Sequence, residues 1–427
     1  APRPMRRPDF SRRVAVTGVG MISPVGNDLE TAWTNLVEGN TGLKRITRWD
    51  PEVTSCHVSG EVNDFEPKDW MNFKAVRRTD KNVVFGVAAA KLAVADSGLE
   101  ITDENAYDVG VYFGSGVGGP GLMADAIKTL ETRGGKTVSP FFIANMLPDA
   151  ASGQIAIETG ARGANMAIVT ACSTGTHNIG EAAEGIRRGD FTACLAGSTE
   201  TPLYEVAYVG FANMRGMGTP REGHALSDAS RPYDRSRNGF VLGEGAGCLV
   251  LEDLELAKAR GAKIYAEVVG YGSGNDGFDL IQPVADGGGT RRAIEMALER
   301  HGVPAEEVAL SNPHGSSTPL GDLREAQAFA SVFGDHVKDI AVTGTKSLTG
   351  HLMGAAGAVE ACITVLAVHN QTAPATLHYE EPDPELPVNV VHGESNEMEL
   401  RSAMSSNGGL GGHNGAVIFK HYTGDGP

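Results

Sequence analysis

The sequence predicts an α/β fold made of two similar halves around mostly parallel sheets. Three observations carry that prediction. Apolar runs of strand length alternate with longer helical patterns, the signature of strand–helix–strand units. Those runs end repeatedly in glycine turns. One series of events also occurs twice in the same order, with a join near residues 255–270. The halves are read as 14–262 and 263–422, within the two or three units that 427 residues allow at roughly 150 residues per domain.

Val14–Gly18 reads as a buried strand. Asp80 caps a helix whose Val83, Val84, Val87 and Leu92 share a face, and Gly98 stops it. A strand at Val109–Phe113 runs into Gly114-Ser-Gly116. Met166–Thr170 reads as a short strand feeding Cys172-Ser-Thr-Gly175 and a helix of small residues, and Gly243–Gly247 leads into a β-run at Cys248–Leu251. The second half repeats the series. Thr290 caps a helix through Ile294, Ala297 and Leu298 that stops at Gly302, and Val308–Ser311 runs into His314-Gly-Ser-Ser. Ile340–Thr343 feeds Lys346-Ser-Leu-Thr-Gly-His351 and a helix rich in alanine and glycine, and Gly409–Gly412 precedes a β-run at Ala416–Phe419.

Composition narrows the class. Apolar residues are 41% of the chain, enough for a large core, and no run approaches 18 uninterrupted apolar residues, so no membrane-spanning helix is expected. The net charge of −17 is spread through both signs, which argues against nucleic acid as a partner and leaves docking to a local basic patch. Glycine, 56 residues, is about twice average usage, which implies many tight turns. The five cysteines (Cys56, Cys172, Cys194, Cys248 and Cys362) are odd in number, dispersed and never CxxC, which fits a reducing, cytoplasmic setting rather than a disulfide scaffold or a zinc cluster. The start of the chain has no signal-peptide apolar stretch; Ala1-Pro-Arg-Pro4 precedes Met5 and stands outside the fold reading.

Cys172 is the leading candidate for chemistry. It lies between a strand and a helix, and a helix N-terminus favours thiolate, the nucleophilic form. The other four cysteines read as buried structural residues. His314 ends a strand in a polar loop, and His351 stands at a helix start five residues after Lys346, where the dipole keeps an imidazole neutral and able to donate to an oxyanion. Cys172, His314, Lys346 and His351 all follow strand ends, where ligands of α/β sheets bind. Gly18-Val-Gly20 lacks the third glycine of a dinucleotide fingerprint, and no GxxxxGK[ST], HExxH or GxSxG occurs.

Four motifs carry a resemblance: Val169-Thr-Ala-Cys-Ser-Thr-Gly175, Arg231-Pro-Tyr-Asp-Arg-Ser-Arg-Asn-Gly-Phe-Val-Leu-Gly-Glu-Gly-Ala-Gly247, His314-Gly-Ser-Ser-Thr-Pro-Leu-Gly-Asp322 and Lys346-Ser-Leu-Thr-Gly-His-Leu-Met-Gly-Ala-Ala-Gly-Ala-Val-Glu360. In this order they resemble the β-ketoacyl–acyl-carrier-protein synthases of the thiolase superfamily, in the class I/II branch with one Cys and two His. The resemblance implies a duplicated five-layered α-β-α-β-α sandwich, usually dimeric. It implies that Cys172 accepts an acyl chain, that His314 and His351 donate to a malonyl thioester during decarboxylation, and that Lys346 pairs with Glu360. It also implies an oxyanion hole of the Cys172 and Leu410 backbone N–H groups, pantetheine contacts from Ser316 and Thr318, and an acyl site touching Phe211, Gly409 and Leu410. No redox or metal cofactor is implied, since the acyl carrier protein supplies the phosphopantetheine; a structural cation near Asn312 and Glu360 stays open.

His351 sets the branch, since class III and plant-type enzymes resemble each other in having Asn there, and Cys172 separates the chain from nucleophile-free chain-length factors. The family's gate usually reads Asn-Ser-Phe-Gly-Phe-Gly-Gly, whereas here it is Ser406-Asn-Gly-Gly-Leu-Gly-Gly412, and Ile281 replaces a polar residue. Such a gate implies bulkier or stiffer acyl chains, or a change in how its closure reports pocket occupancy. Alongside fatty-acid elongation stands a second reading, a type II polyketide or polyene ketosynthase subunit paired with a chain-length factor. A non-catalytic acyl-binding subunit and a Cys-His hydrolase are the other readings. The basic cluster Lys74, Arg77, Arg78 and Lys81, with Arg215, is the expected docking surface for an acidic carrier protein, as homodimer or heterodimer.

Overall fold

The computed structural model describes residues 9–424, so Ala1–Pro4 lies outside the described residues. The first half contributes β1 (Val14–Ile22), β2 (Val109–Gly114), β3 (Asn165–Met166), β4 (Ala193–Glu200) and β5 (Gly245–Asp253). The second contributes β6 (Ala266–Asn275), β7 (Val308–Asn312), β8 (Ala341–Val342), β9 (Ser402–Gly409) and β10 (His413–His421). In space the first set runs β3-β2-β4-β5-β1 and the second β8-β7-β9-β10-β6, the same order of first to fifth strand. The directions match as well. Parallel pairs flank β2 and β7, and antiparallel pairs join β4 to β5, β5 to β1, β9 to β10 and β10 to β6. The two sets meet where Val14–Val16 pairs antiparallel with Ala266–Val268. The sheet is therefore mixed, not mostly parallel; the tight β9–β10 turn, for one, can only join antiparallel neighbours.

Six helices complete the layers: α1 (Lys81–Ser97), α2 (Ala150–Thr159), α3 (Thr174–Arg188), α4 (Gly288–Glu299), α5 (Pro319–Phe333) and α6 (Ala356–Asn370). Helices α3 and α6 pack against each other in the middle layer, while α1 covers β1 and α4 covers β6. Close approach needs glycine on both strands. A Cβ on Gly20 would sit 2.0 Å from the Ala89 carbonyl oxygen of α1, and one on Gly272 would sit 2.0 Å from that of Ala293 on α4. Thus the duplicated packing explains part of the glycine excess.

Local signals held at the ends of α1. The Asp80 side chain accepts from the Asn82 N–H, and Gly98 closes the helix at φ 61°. The matching cap differs: α4 begins after Gly287 at φ 61°, and Thr290, inside the helix, donates instead to Asn414 Oδ1 at 2.8 Å. Met166–Thr170 also pairs less than expected, since β3 ends at Met166. Beyond it the Asn178 side chain replaces a strand partner, accepting from the Ile168 N–H at 3.1 Å and donating to its carbonyl at 3.0 Å. Met353–Asn370 has the length and mean hydropathy (1.3) of a membrane span, yet 89% of it is buried inside the protein. It is the core helix against which strands of both sets pack.

Candidate active site

Cys172 lies in the 3₁₀ turn Ala171–Ser173, one turn before α3 proper. Ala171 precedes it at φ 51°, a left-handed conformation that costs a non-glycine residue about 1–2 kcal/mol. The turn is held from the gate side: the Ser173 hydroxyl donates toward the carbonyls of Asn407 (3.0 Å) and His413 (2.8 Å). Burial raises the Cys172 thiol to about 11, against the opposing pull of the Leu410 N–H directed at its sulfur and of the Lys346 charge. The expectation of a thiolate at a helix N-terminus is therefore overturned. Desolvation outweighs the dipole, because the sulfur sits inside the protein.

The two histidines face the same space. Their ring centroids are 5.1 Å apart and the planes nearly perpendicular. His351 does not start a helix as expected. It follows the short helix Lys346–Thr349 and precedes the turn Met353–Ala355, with α6 beginning only at Ala356. Both imidazoles are held well below their ordinary range by burial first and by Lys346 second, with the neighbouring His351 adding to the effect on His314. Burial and the Lys346 charge keep both neutral at pH 7. The Met353 N–H donates to His351 Nδ1 at 3.2 Å, so the neutral ring carries its proton on Nε2. His314 Nδ1 is buried without a protein partner.

Lys346 Nζ pairs with Glu360 Oε1, both buried, and Asn407 Nδ2 donates to Glu360 Oε2 at 2.6 Å. Asn312 is used as well: its Oδ1 accepts from Thr345 and its Nδ2 donates to the Glu360 carbonyl. Asn312 Oδ1 and both Glu360 carboxylate oxygens thus each already have a protein partner.

A cavity of about 520 Å³ joins Cys172 to the two histidines, lined by Cys172, His314, His351, Phe211, Ser316 and Thr318 among others; Lys346 and Glu360 lie outside its lining. The gate residues Gly408, Gly409 and Leu410, together with Ile281, line it too. Arg215 reaches its mouth, whereas Lys74, Arg77 and Arg78 are exposed outside its lining. The Arg78 guanidinium lies 4.2 Å from the centre of the Phe141 ring. Lys81 leaves the expected basic cluster, because it is paired with Glu244 at 3.1 Å.

Sequence reasoning missed the acids that hold the loops. Glu325 on α5 accepts from the His314 N–H at 2.7 Å and the Gly315 N–H at 2.8 Å, and the Tyr233 hydroxyl donates to it at 2.7 Å. Asp322 accepts from the Ser317 and Tyr233 N–H groups at 3.0 and 2.8 Å. The only signal for them was the spacing of acids after the His314 loop.

This is a thiolase-type α/β fold. The chain matches the beta-ketoacyl synthase N-terminal domain over residues 11–257 and the C-terminal domain over 265–380, and it belongs to the β-ketoacyl synthase family. It is 42% identical over 412 residues to 3-oxoacyl-[acyl-carrier-protein] synthase 2 of Staphylococcus aureus strain N315, covering 96% of this chain and 99% of that protein. Among solved structures it resembles the AntDE:AntF complex, a type II PKS acyl-carrier protein with its ketosynthase bound to the hexaketide (TM-score 0.88, 28% identity, covering 97% of this chain and 100% of that one). It also resembles the ishigamide ketosynthase/chain length factor (TM-score 0.87, 32% identity, 96% and 99% covered).

Proposed function

We propose that the chain extends acyl chains by decarboxylative Claisen condensation on an acyl carrier protein. The observation that carries this reading is a single cavity holding a Cys, two neutral His and a backbone N–H aimed at the Cys sulfur. Cys172 Sγ attacks the acyl thioester, and its proton leaves with the pantetheine thiolate. The Cys172 and Leu410 N–H groups receive the carbonyl oxygen during that transfer. A malonyl thioester then takes the vacated arm site, reaching in past Ser316, Thr318, Phe211 and Gly409. Its carbon–carbon bond to the carboxylate breaks, CO₂ departs, and the electron pair becomes an enolate held by His314 and His351. The enolate carbon attacks the acyl-cysteine carbonyl, the Cys172 thioester breaks, and the thiolate takes one proton. Lys346 and Glu360 keep the histidines in a fixed field. Phosphopantetheine arrives on the carrier, so no resident cofactor takes part.

The carrier docks through Arg215 at the mouth and Lys74, Arg77 and Arg78 beside it, opposite charges that speed encounter. The exposed apolar side chains of Met166, on the edge strand β3, and of Val169, just after it, support a subunit face, for a second copy or a homologous partner. The halves meet between residues 262 and 263, and the free cysteines support a reducing cytoplasmic setting. One observation favours the polyketide variant: the gate carries Gly408 and Leu410 where the family has aromatic residues. The test is intact-protein mass spectrometry after incubation with acyl-carrier protein, then malonyl-carrier protein. Acylation confined to Cys172 and a β-ketoacyl product are expected; free acid, or acylation elsewhere, overturns the reading.

A further inference from the structure

Four separate segments meet behind the nucleophile, around one carboxylate that the proposed reaction does not use. Glu200 ends β4 and is 1% exposed. Its Oε1 accepts from the Ser115 hydroxyl at 2.6 Å and its Oε2 from the Gly116 N–H at 2.7 Å. Oε2 also accepts from the Gly354 N–H at 3.1 Å, across 154 residues of sequence. The same point touches the nucleophile turn: a Cβ on Gly116 would lie 3.2 Å from the Ala171 carbonyl oxygen and 3.3 Å from Gly354 Cα. Gly354 follows Met353, whose N–H fixes the His351 tautomer, and Met353 sits at φ 49° while lining the cavity. Burying a carboxylate is costly unless donors surround it, and here the donors come from two loops, Ser115–Gly116 and the turn at Gly354, whose mutual positions nothing local dictates.

We propose that Glu200 is a positioning residue that registers the His351 turn against the nucleophile turn and thereby keeps the His351 proton on Nε2. The inference rests on the reading of His351 as the donor to the malonyl thioester. Without the Glu200 acceptor, the Gly354 and Gly116 N–H groups lose their partner, the Met353–Gly354 turn relaxes, and His351 Nδ1 loses the donor that excludes a proton there.

The test compares Glu200→Gln, which keeps an acceptor, with Glu200→Met, which keeps the volume and removes it. In protein labelled with ¹⁵N-histidine, His351, assigned through His351→Asn, should hold its Nε2–H form in the unsubstituted protein and in Glu200→Gln, and lose it in Glu200→Met. Malonyl-thioester decarboxylation should fall on the order of tenfold or more in Glu200→Met, with Cys172 acylation falling less. Rescue by Gln with failure of Met separates positioning from packing. A folded Glu200→Met protein with the wild-type His351 signal overturns the proposal. If Glu200→Met does not fold, amide exchange of the unsubstituted protein decides: slow Gly116, Met353 and Gly354 amides support it, and fast ones overturn it. The nitrogen spectra need no substrate, so a failure of condensation itself is read separately from a failure of this inference.

Discussion

Filling the gate at Gly408 should narrow the acyl chains that reach Cys172. Three of the four gate glycines are required by the backbone. A Cβ on Gly409 would stand 2.7 Å from the Thr170 carbonyl oxygen and 3.1 Å from the Cys172 nitrogen, and Gly411 and Gly412 hold φ of 86° and 77°. Gly408 is different. It lies in regular strand β9 opposite Asn414, outside the left-handed region, and a Cβ there would meet only Asn414 Oδ1, at 3.3 Å. The backbone does not demand glycine, so the missing side chain is space, and that space opens on the cavity shared with Cys172.

The magnitudes follow. Gly408→Ala gains about 0.4–1 kcal/mol from a less flexible unfolded chain, offset by the small shift asked of Asn414, so stability should barely move. Gly408→Val and Gly408→Phe project into the cavity, where steric selection in an apolar site is worth about 1–3 kcal/mol, or roughly 10–200-fold. A saturated chain can rotate away from the new side chain, whereas a conjugated one cannot. The assay is the rate of Cys172 acylation by saturated and conjugated thioesters of equal length, read by intact mass. The conjugated-to-saturated ratio should fall along the series Ala, Val, Phe. An unchanged ratio in Val and Phe proteins that still acylate refutes the reasoning, and so does equal loss of both substrates.

Three further outcomes are expected. Because burial raises the Cys172 thiol to about 11, its thiolate fraction grows about tenfold per pH unit below that value, so alkylation by iodoacetamide should climb from pH 7 to 9.5 without levelling; a plateau near pH 8 contradicts the burial argument. Lys346→Met leaves Glu360 buried beside Asn407 without its cation and should cost about 3–5 kcal/mol in urea unfolding, much of it recovered by Lys346→Met combined with Glu360→Leu. Arg77→Glu with Arg78→Glu should raise the KM for malonyl-carrier protein while turnover of a carrier-free malonyl thioester holds; joint loss of both would point to misfolding instead of docking.

Sequence punctuation located the strand ends whose residues line the candidate site, because strand ends and helix caps are local. Asp80 and Gly98 bound α1 as expected, and the doubled series of events corresponds to two strand sets of identical order. What the sequence could not carry was whatever depends on burial. The position of Cys172 was readable from its strand–turn–helix setting, but its ionisation was not, since the desolvation that outweighs the dipole comes from packing among residues distant in sequence, Tyr208, Leu242 and Met353 among them. The same limit hid Glu200 and Glu325. Neither belongs to a motif that names its role, and each acts by accepting backbone N–H groups, which every residue but proline offers and no residue type announces. The gate inverts the case. Its altered residues were visible in the sequence, but only the space around Gly408, set against the crowding at Gly409, separates a glycine the chain must have from one whose absent side chain leaves room for substrate.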